Sequence, residues 1–149
     1  MNESRKMAEK LNDLLQRSMD AEKHFRQAAE DVRNGKLREF LMDRALQRYD
    51  FRQELRSEIR NFGEDIKDES STGGDLRRTW ADLKTALSSN KEEAVLEEIV
   101  KGEKKTVAEY NEVIKEHDFP PSTENLLIKQ RNAIERTLRQ ATELEDVFD

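Results

Sequence analysis

The sequence predicts an all-α protein: an antiparallel bundle of four long helices, with one long crossover that carries a short fifth helix. Three observations carry this prediction. Hydrophobic residues make up 34% of the chain and charged residues 40%, a balance suited to long helices that bury a single stripe. Apolar residues recur at steps of three and four over four long stretches, which also argues against a disordered chain. Only two prolines and five glycines occur, and four of the glycines lie at or beside the points where those stretches break.

The first helix is predicted over Glu3 to Arg33, with Met7, Leu11, Leu14, Leu15, Met19, Phe25, Ala29 and Val32 on its apolar face. Asn34-Gly35 reads as a helix stop and tight turn, because both residue types tolerate the left-handed conformation of a C-cap. The second helix runs from Lys36 to Phe62, burying Leu37, Phe40, Leu41, Phe51, Leu55, Ile59 and Phe62. So short a link makes the two an antiparallel hairpin. Gly63 stops the second helix, and the polar stretch GEDIKDESSTGG follows. Asp75 can cap a short helix to Ser88, with Leu76, Trp80, Leu83 and Leu87 on one face. A third long helix spans Lys91 to His117, and the rigid turn Phe119-Pro120-Pro121-Ser122 leads into a fourth, which starts near Ser122 or Thr123.

A helix of some 27 residues is roughly 40 Å long at 1.5 Å per residue. The segment from Gly63 to Asn90 is long enough to return over that length. The third helix can then run parallel to the second, whereas a simple up-down bundle would leave the segment as an oversized end loop. At 149 residues the whole chain, 1–149, reads as one domain.

Charge and composition exclude several functions. A net charge of −6 and a pI near 5.2 give the chain no electrostatic reason to coat phosphate, so nucleic acid is not an expected partner. No cysteine is present, which removes disulfides, thiol catalysis and thiolate metal sites and fits a reducing compartment. The opening MNESRKMAEK has no apolar signal core, and no stretch approaches the ~20 apolar residues of a membrane span. A cytoplasmic location is the expectation. No P-loop, dinucleotide fingerprint, nucleophile elbow or zinc motif appears.

Each long helix carries a glutamate near the middle of its stripe. Glu22 lies between Met19 and Phe25, and Glu103 between Ile99 and Val107, at places where apolar side chains would be expected. Glu54 and Glu135 border their stripes beside Leu55 and Ile134. Glu54 follows Glu22 by 32 residues, and Glu135 follows Glu103 by the same 32. The chain therefore reads as two helix pairs with four carboxylates at similar depth.

This pattern resembles the ferritin-like di-iron proteins, in which two helices each supply a Glu and two each supply a Glu-x-x-His. The resemblance places Glu22 and Glu103 at the lone-glutamate positions, and Glu54 and Glu135 at the starts of the two motifs. Ser57 and Leu138 stand where both histidines should be. Over about Leu11 to Leu144 the chain is similar to an uncharacterised bacterial four-helix-bundle family of the ferritin-like superfamily, found mainly in proteobacteria and bacteroidetes. The segments that carry the likeness are LNDLLQRSMDAEKHFRQAAEDV, FRQEL, RRTWADLKTAL and Gly102-Glu103 within VLEEIVKGEKKTVAEYNEVI. The resemblance implies the fold and, through some ferritin-like relatives, a role under stress; it assigns no activity.

Two readings of the glutamates follow. In one, Glu22, Glu54, Glu103 and Glu135 hold iron or manganese, with Ser57 as a neutral oxygen ligand and Leu138 contributing nothing. In the other, which the loss of both histidines favours, Arg26, Arg44, Arg48 and Arg131 neutralise the carboxylates, no cofactor is bound, and the bundle is a non-enzymatic structural or interaction module. His24 diverges from Glu22 by about 200° around the helix and reads as a surface or interface residue. His117 suits the C-terminal end of its helix as a cation, and Tyr49 and Tyr110 read as packing residues. Trp80 is expected to anchor the short helix. A homodimer is expected, and the Leu76–Leu87 helix is the candidate for docking another protein.

Overall fold

The computed structural model describes residues 2–67 and 79–148. It is all-helical, with no strand among those residues. Among the described residues five helices appear: α1 (Glu3–Asp31), α2 (Gly35–Asn61), α3 (Ala81–Ser88), α4 (Glu92–Glu116) and α5 (Pro121–Phe148). Asp75 and Leu76, expected to cap and open the short helix, lie outside the described residues. Trp80 occupies the N-cap position of α3.

The helix ends follow local chemistry. Asn2 caps α1 through a 2.8 Å bond from the Arg5 amide. The Asn34-Gly35 turn differs from its expected role. Asn34 has φ −69° and accepts from the Leu37 amide at 3.0 Å, so it is the N-cap of α2 and not a left-handed C-cap for α1. α1 instead ends with Val32 in extended conformation. Gly63 does adopt the left-handed conformation, with φ +72°, and Asn90 takes φ 58° between α3 and α4. Pro121 is the first residue of α5, where its missing amide proton costs nothing.

Side-chain contacts set the helix directions. Asn12 bonds the backbone of Asp65 and Lys67, and Arg52 reaches Glu22, so α1 and α2 run antiparallel. Arg17 meets Glu109 and His117 meets Glu3, which makes α1 and α4 antiparallel as well. Tyr110 bonds Gln130, and Arg131 bonds Asn111, closing the antiparallel α4–α5 pair. α2 and α4 consequently run the same way.

Two apolar clusters form the interior. One gathers Ala21, Phe25, Leu37, Leu41, Leu96, Ile99 and Ala141 with Trp80 and Leu83. The other gathers Leu11, Leu14, Leu15, Leu55, Ile59, Tyr110, Leu127 and Ile134. All four long helices contribute to both, and each passes from one to the other through polar residues. On α1 Ser18 lies between Leu15 and Ala21; on α2 Arg48 lies between Ala45 and Phe51. On α4 Glu103 and Thr106 lie between Ile99 and Tyr110, and on α5 Thr137 lies between Ile134 and Ala141. All five of these polar residues are buried. No helix among the described residues is long and apolar enough to cross a membrane.

Candidate functional site

The polar layer between the clusters is the part of the interior that could carry chemistry. At its centre Arg48 on α2 donates from Nη2 to Oε2 of Glu103 on α4. Both side chains are sealed from solvent, at 1% and 0% exposure. The Arg48 guanidinium also lies 5.4 Å from the Phe25 ring and 5.8 Å from the Phe51 ring, so one aromatic from each apolar cluster faces the cation. Burial pushes the Glu103 carboxyl above its ordinary range, opposed first by the Arg48 charge and hydrogen bond and then by the Arg44 charge. Oε1 of Glu103 is buried without a hydrogen-bond partner among the described residues, a cost the carboxylate carries in this environment.

The other predicted glutamates are held differently. Glu22 is buried on α1 and accepts from two arginines: Arg26 one turn along at 3.0 Å and Arg52 of α2 at 2.6 Å. Glu54 is half-buried and accepts from Gln130 Nε2 at 3.1 Å. Glu135 is partly exposed, with Arg131 3.8 Å away. Ser57 is exposed and Leu138 half-buried. Of the predicted arginine partners, Arg26, Arg48 and Arg131 therefore each stand beside one of the four carboxylates. Arg44 instead donates to Thr137 and Gln140, and burial lowers its affinity for its proton.

Sequence reasoning missed two residues that bond the predicted glutamates. Arg52 clamps Glu22 from the neighbouring helix, and its position two residues before Glu54 was the available cue. Gln130 is 1% exposed; it accepts from the Tyr110 hydroxyl at 2.7 Å while donating to Glu54. Tyr110 is thus a packed residue whose hydroxyl is satisfied, and burial raises its pKa well above the ordinary tyrosine value.

Among the described residues, three carboxylates lie within 4.8 Å of one another at Glu93, Glu97 and Glu145, away from the four predicted glutamates. Glu93 is in the first turn of α4, where the positive end of the helix dipole favours acidic side chains.

Trp80 is the clearest structural anchor. It is 3% exposed, meets the Phe25 ring edge-on at 5.1 Å, and stacks over His24 at 6.4 Å. Its six-membered ring lies on the α carbon of Gly102, where a Cβ would fall among the ring carbons. His24 is accordingly half-buried at the contact between α1 and Trp80. His117 follows the last residue of α4 and contacts Glu3 at 3.2 Å.

These features define an all-α protein whose interior is divided by a buried polar layer centred on the Arg48–Glu103 pair. The family described as "Domain of unknown function (DUF2383)" matches residues 6–116, and the chain belongs to it. No curated protein matches the sequence.

Proposed function

We propose that the chain is a ferritin-like four-helix bundle acting as a non-enzymatic structural or interaction module, homodimeric and cytoplasmic, with a degenerate di-metal site. The shared direction of α2 and α4 supports the bundle assignment, because a long crossover between two hairpins is the ferritin-like connection. The observation that carries the functional reading is Arg48. Its guanidinium engages a carboxylate oxygen that a metal ion would need, and a charge-assisted bond of this kind is strong in a dry interior. Glu22 is likewise taken by Arg26 and Arg52, and Ser57 and Leu138 offer no imidazole. This donor set does not fit a di-metal centre. A role under stress, implied by the ferritin-like resemblance, belongs with the same reading.

One observation favours the metal-binding or oxidase-type alternative, with iron or manganese: Oε1 of Glu103 is a buried oxygen with no donor among the described residues. Metal analysis by plasma mass spectrometry distinguishes the two readings in protein from cells grown with added iron and manganese. Substoichiometric metal, unchanged in a Glu22→Ala, Glu103→Ala double variant, is the expected result. Stoichiometric metal that disappears in that variant would overturn the structural reading.

A further inference from the structure

The four large hydrophobic side chains exposed among the described residues are Met42, Leu46, Tyr49 and Val147. Three of them share α2. At about 100° per residue, Met42, Leu46 and Tyr49 occupy one arc of about 60°, turned about 110 to 150° away from Leu41, Arg48 and Leu55 on the buried side. α2 thus has a second apolar stripe, left exposed among the described residues; Leu46 is 51% exposed. In the described part of the short helix expected to dock a partner, Trp80 and Leu83 are buried in the core.

The charges beside this stripe are sorted by sign. Glu39, Asp43 and Asp50 flank it on one side, and Arg38, Arg52 and Arg56 on the other. Arg38 and the three acids are exposed, with Arg38 also donating from Nη2 to the Val32 carbonyl at 2.8 Å, whereas Arg56 is half-buried and Arg52 is half-buried and tied to Glu22. A face with one acidic and one basic edge selects its partner's orientation. Two copies packed antiparallel about a twofold axis would set acid against acid and arginine against arginine. Two copies packed parallel, with the twofold axis along α2, set each acidic edge against the other's basic edge. Met42, Leu46, Tyr49 and Gln53 follow at intervals of four, three and four, the spacing of a parallel two-stranded seam. In that register Arg38 of one copy faces Asp43 of the other.

We infer that α2 is the homodimer interface, pairing in parallel through Met42, Leu46 and Tyr49 with Arg38 and Asp43 matched across the seam. The inference rests on the homodimer proposed above and names its surface and its axis.

The absence of cysteine makes a clean test possible. Sedimentation equilibrium of the full chain should show a dimer. Leu46→Glu should weaken it by about tenfold or more, an energy near 1.4 kcal/mol, with helical circular dichroism unchanged because Leu46 is not part of the core. Met42→Cys and Gln53→Cys, oxidised separately, should each give a covalent dimer, since a parallel seam brings every position to its own copy. Lys104→Cys, on the exposed side of α4, should not. A dimer that survives Leu46→Glu overturns this surface and leaves the homodimer standing. A wild-type monomer overturns both. Cross-linking at only one of positions 42 and 53 overturns the parallel axis.

Discussion

Burying Arg48 takes a guanidinium out of water, and the interior compensates with one carboxylate and two aromatic faces. Such a pair adds little net stability, yet breaking it is costly because the surviving charge keeps its desolvation penalty. Arg48→Met or Glu103→Leu alone should therefore destabilise the fold by about 3–5 kcal/mol. The paired replacement Arg48→Met, Glu103→Leu should lie near wild type or above it. Urea denaturation of the four proteins completes the cycle, and additive losses in the double variant would show that the pair does not act as a unit. The same residue predicts a pH effect. Burial raises the Glu103 pKa above 4.5, the ordinary glutamate value, so the folded state holds this proton more tightly than the unfolded chain. The contribution is fully present below 4.5 and is lost as pH rises from there through the folded value. Wild-type stability measured relative to the paired variant should accordingly fall as pH increases over that window. A flat difference would mean that Arg48 offsets the burial completely.

At the scale of the element, α3 is held by shape more than by capping, for Trp80 makes no side-chain cap bond. The contact between Trp80 and Gly102 instead needs a residue without a Cβ. The ring cannot retreat easily, since Phe25 and His24 pack against it. Gly102→Ala should overpack the junction and cost about 1–3 kcal/mol. Trp80 is the sole tryptophan, so its fluorescence should shift to the red as the ring is displaced; an unchanged spectrum would contradict the contact. The Gly102-Glu103 pair was visible in the sequence as a soft motif, but its reason was not, because the partner ring comes from another element. The Asn34-Gly35 turn shows a different limit. Asparagine serves both as an N-cap and as a left-handed C-cap, and local sequence left the choice open. The decision came from Val32 and Asn34, both extended in the structure.

At the scale of the whole molecule, the long helices were legible because each repeats its apolar stripe many times. Glu22 and Glu103 stood out because they interrupt a stripe, and both proved buried. Their partners were harder to read. Arg52 and Gln130 act across helix–helix contacts, and which residues meet there depends on axial register, which periodicity does not specify. The same register makes α5 indispensable, although the family match ends at residue 116, before that helix begins. Leu127 and Ile134 seal one apolar cluster and Ala141 the other, all at 0% exposure. Gln130 satisfies Tyr110, and Thr137 with Gln140 holds Arg44. Ending the chain after Asp118 would uncover both clusters along their length and leave the Tyr110 hydroxyl without its Gln130 partner. The truncated chain should retain helical circular dichroism but lose a cooperative thermal transition and bind a hydrophobic dye, the behaviour of a compact state without fixed packing. A sharp transition in the truncated chain, with no dye binding, would instead place an independent folding unit within residues 6–116 and make α5 an addition to it.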